Sequence, residues 1–129
     1  MIRIFLLAAT LSGFLSVALG AFGAHALKAR LTPDLLTVWH TAVQYQFYHV
    51  FALLAVALLM INGATENTVL KIAGVAFMVG MLTFSGSLYL LCLSGTRWLG
   101  AITPLGGVAF LIGWAAMIWY AWQWTVAAK

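Results

Sequence analysis

Residues 35–65 read LLTVWHTAVQYQFYHVFALLAVALLMINGAT, a run without a single Asp, Glu, Lys or Arg. About 20 apolar residues at 1.5 Å of helical rise cross a bilayer core of about 30 Å. The second half of the run, from Ala52 to Ile61, is plain membrane helix. Working outward, the remaining charges stand at Arg3, at Lys28, Arg30 and Asp34, at Glu66 and Lys71, at Arg97 and at Lys129. They leave uncharged windows at 4–27, 35–65, 72–96 and 98–128, none shorter than 24 residues. The pattern predicts an all-α membrane protein with four transmembrane helices in one integral membrane domain spanning 1–129.

Composition supports this. Of the 129 residues, 65% are apolar and 6% charged, against roughly 45–50% and 25% in a soluble domain. So few charges cannot cover a water-facing surface. Six Trp, eight Phe and four Tyr exclude a disordered chain, and a single cysteine, Cys92, excludes a disulfide scaffold. Arg3 and Ala24-His25-Ala26 imitate the ends of a signal peptide, but the apolar stretch between them exceeds the roughly 7–15 residues of a signal core. It is expected to remain as the first span.

Local signals set the boundaries. Thr32-Pro33 and Thr103-Pro104 each read as a capping hydroxyl followed by proline in the first turn. The polar stretch from Asn62 to Asn67 reads as a turn with Thr65 and Asn67 as capping candidates. The expected helices are helix 1 at 4–27, helix 2 at 33–61, helix 3 at 67–94 and helix 4 at 104–127. Their short connections predict an up-down-up-down antiparallel bundle. Arg3, Lys71 and Lys129 then fall on one side and Lys28, Arg30 and Arg97 on the other, so the positive-inside rule ties. The same division leaves no basic patch for nucleic acid.

Lipid gives helices little reason to associate through apolar burial, so small side chains mark the packing seams. Helix 1 offers Ser12, Ser16, Gly20 and Ala24, flanked by Gly13 and Gly23. Helix 3 offers Ala73, Ala76, Gly80, Thr83 and Ser87, and helix 4 offers Gly106, Ala109, Gly113 and Ala116. These seams are expected to pack within the bundle, with dimerisation of two bundles as the alternative. Trp39, Trp98, Trp119, Trp122 and Trp124 read as interface anchors.

Helix 2 is the exception to plain apolarity. From Trp39 to His49, seven of eleven residues besides Trp39 carry hydrogen-bonding side chains, which is costly in hydrocarbon. With His40 set at zero, the helical period places Gln44, Tyr48, Thr41, Tyr45 and His49 at roughly 40°, 80°, 100°, 140° and 180°. Only Gln46 breaks that half. The polar half is expected to face other helices, a lumen or a cofactor. His49 lies about 24 Å along the axis from Pro33, while His25 and His40 belong to the same end of the bundle.

His25, His40, Gln44, Tyr45, Tyr48 and His49 are therefore the candidate site residues. As a structural network, His25, His40, Gln44, Tyr45 and His49 would tie helices together by hydrogen bonds. As a functional site, His25, His40 and His49 could bind a quinone, redox cofactor or metal, or relay protons with Tyr45, Tyr48 and the glutamines. Metal is disfavoured because a spacing of nine puts His40 and His49 on opposite sides of the helix, with no carboxylate or second cysteine to complete a set. No catalytic constellation is found: Ser85-Gly86-Ser87 lacks the nucleophile-elbow glycines, and Asp34 and Glu66 belong to opposite membrane faces.

The stretch from Gly20 to Leu27, GAFGAHAL, with Tyr45-Gln46-Phe47-Tyr48-His49, resembles the YgdD-like family of small bacterial inner-membrane proteins, whose relatives include transmembrane protein 256. Phe84-Ser85-Gly86-Ser87-Leu88-Tyr89, the stretch from Trp98 to Gly107 and Gly113-Trp114 resemble it too. The resemblance implies a multi-pass protein of the bacterial plasma membrane, and it carries over no catalytic residue. The reading is thus an integral membrane protein of unknown biochemical activity, leaning to a non-enzymatic small interaction or accessory subunit without a cofactor. The alternative is a redox cofactor, quinone or metal site around His25, His40 and His49, and the second alternative a proton or small-solute path. The expected partners are the lipid bilayer and either another membrane protein or further copies of itself.

Overall fold

In a computed structural model of the chain, which describes residues 1–125, four helical spans are long and apolar enough to cross a membrane. They are helix 1 (Ile2–His25), helix 2 (Pro33–Ile61), helix 3 (Thr68–Ser94) and a last span, Arg97–Gln123. That last span opens with a 3-10 turn, Arg97–Ala101, and continues as helix 4, Thr103–Gln123. Among the described residues there is no strand. The chain is an integral membrane protein of four antiparallel helices.

Local chemistry explains the ends. Thr32 caps helix 2 by accepting from the Leu35 amide at 3.3 Å, with Pro33 in the first turn. Asn67 caps helix 3 by accepting from the Leu70 amide at 3.0 Å. Thr65 does not cap, because its hydroxyl donates back to the Met60 carbonyl. Helix 1 ends at His25 rather than at 27: the Arg30 and Leu31 amides bond the Leu27 carbonyl, turning the chain and burying Leu27 against Trp39 and Cys92. Thr103 is not a cap either. It already stands inside helix 4, and its hydroxyl meets that of Ser87 on helix 3 at 2.7 Å. Helix 4 stops at Gln123, short of the expected 127, which lies outside the described residues.

The cross-section is flattened. Helix 1 packs along helix 2, helix 4 packs along helix 3, and helices 2 and 3 join the two pairs. Burial follows that order: 44% of the apolar window is buried in each of helices 2 and 3, but 17% in helix 1 and 22% in the last span. The seams fit within the bundle through aromatic rings seated on glycines. Trp39 covers Gly23, Phe5 covers Gly74, Phe77 covers Gly113 and Phe110 covers Gly80, each so closely that a methyl in place of the glycine hydrogen would collide with the ring. Such contacts supply the dispersion on which helix association in lipid rests.

Helix 3 has one irregular turn. Met81–Ser85 is π-helical, which adds a residue to one turn and rotates everything after it. The buried face of helix 3 accordingly runs through Ala73, Phe77 and Gly80 before the turn and through Ser85, Leu88 and Cys92 after it. Thr83, expected on the seam, is only half-buried and bonds the Val79 carbonyl of its own helix. At the π-turn the backbone of Phe84 lies against Gly106 of helix 4.

Candidate functional site

The side chains that helix 2 buries are Trp39, Ala42, Gln46, His49, Leu53, Val56 and Met60, with Val50, Ala52 and Ala57 beside them. The first seven alternate in steps of three and four, the a/d spacing of left-handed helix packing. Their centre lies opposite the polar half singled out by the helical wheel. His49 stands at the border of both. His40, Gln44 and Tyr48 therefore point outward from the bundle, which corrects for them the expectation that the polar half faces other helices, a lumen or a cofactor, while Tyr45 beside His49 packs its ring on Phe84 of helix 3. The physical reason is the fit of Trp39 onto Gly23 and of Val43 and Val50 onto Gly20 and Gly13 of helix 1, which fixes the rotation of helix 2.

Buried polar contacts converge on helix 2 from every neighbour. Gln46 donates from Nε2 to the Ser12 carbonyl of helix 1 at 3.1 Å and accepts at Oε1 from the Tyr89 hydroxyl of helix 3 at 2.6 Å. Ser85 at the π-turn donates to the Ala42 carbonyl at 2.7 Å. The Trp39 indole donates to the Leu19 carbonyl at 2.9 Å, and the Cys92 thiol to the Leu35 carbonyl at 3.2 Å. Among the described residues no buried side-chain nitrogen or oxygen lacks a partner. The interior network exists, but it is built from Gln46, Ser85, Tyr89, Trp39 and Trp114 rather than from His25, His40 and Gln44.

His49 is its one histidine. Its Nδ1 contacts the Tyr45 carbonyl at 2.6 Å, and its Nε2 lies 3.1 Å from the Trp114 indole nitrogen. A carbonyl only accepts and an indole N–H only donates. The ring must therefore carry its proton on Nδ1 and accept at Nε2, so it is neutral with both nitrogens engaged. It stacks on Phe110 with centroids 3.5 Å apart and planes within 9°. A metal would find no free lone pair there. His25 and His40 are exposed, and no three His, Cys, Asp or Glu side chains gather among the described residues.

Next to His49, between helices 2 and 4, a groove of about 460 Å³ opens on the side of the bundle. Tyr45, His49, Phe84, Phe110 and Trp114 line it, with Gly107 at one wall. The Tyr45 ring lies 4.7 Å from that of Phe84 and 6.0 Å from that of Tyr48. Tyr45 is 39% and Tyr48 53% exposed, and neither hydroxyl has a partner among the described residues. A second groove of about 380 Å³ lies between helices 1 and 3, with Gln46 and Tyr89 among its lining.

The depth of the outward polar residues follows from the register. Gly20 meets Val43 and Gly13 meets Val50, so Gln44 to Tyr48 stand level with residues 15–19, inside helix 1, while His40 stands level with Gly23, close to the end of that helix at His25. Level with Gln44 to Tyr48, Leu15 and Val17 are exposed and apolar. This is the lipid-facing belt.

The family described as "Protein of unknown function (DUF423)" matches residues 19–107 of the chain. The chain is 43% identical over 118 residues to the UPF0382 membrane protein YwdK of Bacillus subtilis, covering 90% of this chain and 94% of that protein. It is 42% identical to a UPF0382 membrane protein of Haemophilus influenzae, covering 83% and 84%, and 42% identical to the UPF0382 membrane protein C1782.12c of Schizosaccharomyces pombe, covering 85% and 94%. No solved structure matches it. With a family match over most of its length and relatives that align nearly from end to end, the chain belongs to the DUF423, or UPF0382, family of membrane proteins of unknown function.

Proposed function

We propose that this protein is a non-enzymatic interaction or accessory subunit of the bacterial plasma membrane, docking sideways through the outer face of helix 2. The observation that carries this reading is the exposure of Gln44 and Tyr48 at a level where helix 1 presents only apolar side chains to lipid. A polar group in hydrocarbon without a partner costs several kcal/mol at the upper end and is normally turned inward. Two of them one helical turn apart on an outer face are explained when another polypeptide covers them. His, Gln and the tyrosine hydroxyl each donate and accept, so the face suits a neighbouring membrane helix or a second copy of itself. The membrane-protein relatives from Bacillus and Haemophilus, and the resemblance to YgdD-like inner-membrane proteins, support the bacterial plasma membrane as its place.

A photo-reactive side chain at position 44 or 48 tests this in intact cells, with position 11 on the lipid face of helix 1 as control. A discrete protein adduct from 44 and 48 but not from 11 is the expected result, and its mass separates a second copy from a different subunit. Equal labelling from all three positions, or lipid adducts only, would refute lateral docking through helix 2.

A further inference from the structure

We infer that the groove between helices 2 and 4 binds a flat, lipid-soluble ring bearing carbonyl oxygen, the chemistry of a quinone headgroup with its tail in the bilayer. The site is separate from the docking face and does not use the three-histidine constellation.

One wall is a cluster of aromatic rings, and Pro104, Val108 and Leu111 complete the lining. His49 and Phe110 lie within 9° of parallel, Tyr45 and Phe84 within 26°, and Tyr45 and Phe110 within 30°. These rings are stacked on one another, His49 on Phe110 at 3.5 Å and Tyr45 on Phe84 at 4.7 Å, so no guest enters between them. Together they form one aromatic wall against which a planar guest lies, since offset stacking adds to what area burial alone supplies. The groove is also held open by the backbone. A Cβ at Gly106 would strike the Phe84 backbone, which pins helix 4 to the π-turn, whereas a Cβ at neighbouring Gly107 would meet nothing within 4 Å. That open space borders the groove. The volume, about 460 Å³, falls within the roughly 300–1,000 Å³ of small-molecule sites.

Polarity selects the guest. Tyr45 lines the groove, and its hydroxyl has no acceptor among the described residues. Lipid tails offer none, and the ester carbonyls of ordinary lipids sit nearer the membrane surface. A ring carbonyl at this depth satisfies a donor that the bundle and the bilayer leave idle. His49 contributes shape alone, because the Tyr45 carbonyl and Trp114 occupy both of its nitrogens.

The test uses the full chain in lipid nanodiscs with a decyl-tailed benzoquinone as probe and decylbenzene as its carbonyl-free counterpart. Binding is read by quenching of tryptophan fluorescence, Trp114 being in the wall. A Gly107→Leu variant, which fills the groove, corrects for collisional quenching from the lipid phase. Saturable quenching by the quinone is expected, abolished in Gly107→Leu and weakened roughly fivefold in Tyr45→Phe, the effect of losing one hydrogen bond. Helicity measured in parallel shows that each variant folds. The inference is overturned if the quinone does not saturate, if decylbenzene competes equally well, or if Gly107→Leu binds like the wild type. None of these outcomes bears on crosslinking from positions 44 and 48.

Discussion

Replacing Gln46 with leucine tests whether the polar interior holds the helices together. Gln46 is 6% exposed, and among the described residues its amide is the only group that bonds helix 1 on one side and helix 3 on the other. Leucine is close in size, so the cavity contribution is small and the loss is that of two hydrogen bonds. Interhelical hydrogen bonds in membrane proteins average about 0.6 kcal/mol and reach about 1.7, which puts Gln46→Leu at about 1–2 kcal/mol. Tyr89→Phe loses one bond and should cost about 0.6–1 kcal/mol. The double variant discriminates. Because the 2.6 Å contact between Tyr89 and Gln46 can be lost only once, the pair should cost less than the sum of its members by about 0.6–1 kcal/mol. Reversible unfolding in mixed micelles with increasing SDS, followed by helicity, gives each value. Ser87→Ala, whose partner is Thr103, should add to Gln46→Leu without coupling. Full additivity of Gln46→Leu and Tyr89→Phe would refute the reasoning, since the contact would then contribute nothing to holding helices 2 and 3.

Other substitutions probe the remaining features. Gly106→Ala places a methyl against the Phe84 backbone, which cannot move aside as a side chain would, and should destabilise by at least about 1–3 kcal/mol. Gly107→Ala meets nothing within 4 Å and should unfold at or above the wild-type midpoint, so equal effects from the two would contradict the close approach at the π-turn. Nitrogen-15 NMR of labelled His49 should show a neutral ring protonated on Nδ1, and Trp114→Phe should perturb Nε2 and leave Nδ1 in place; a ring protonated on Nε2 would contradict the assigned contacts. Lys71 bonds Glu66 at 2.6 Å on the exposed surface and holds its carboxyl below the usual range. Any stability from that pair is present above the ordinary carboxylate range and fades as pH falls through the lowered value. Glu66→Gln should leave the unfolding midpoint at neutral pH unchanged.

Much of the fold is legible in the positions of six basic and two acidic residues, because a bilayer admits charge only near the ends of a span. Thr32-Pro33 and Asn67 were readable as caps because their chemistry is local. The π-turn at Met81–Ser85 was not. Nothing in MLTFS departs from ordinary helix chemistry, and the extra residue is stabilised by contacts far away in sequence, Ser85 on the Ala42 carbonyl and Phe84 on Gly106. Missing it moved the expected seam of helix 3 onto Thr83 and hid Ser85 and Tyr89 as partners of helix 2.

The reversed face of helix 2 has a deeper cause. In water the apolar side of a helix is the inside, so a wheel of polarity also gives its rotation. In lipid the outside is as apolar as the inside, and polarity no longer carries that sign. What carries it is complementarity of shape, visible in helix 2 as the a/d spacing of Trp39, Ala42, Gln46, His49, Leu53, Val56 and Met60, opposed by glycines where the rings need room. That spacing was present in the sequence and would have placed Gln46 inside and His40, Gln44 and Tyr48 outside. Read this way, the two polar sets of helix 2 answer different demands. Gln46 and His49 are spent on internal contacts, every one of them matched. His40, Gln44, Tyr45 and Tyr48 have their side-chain donors and acceptors unmatched by the described residues, the last three at a depth where water is scarce. Only the outer set is available for recognition, so it is the surface on which function should be sought.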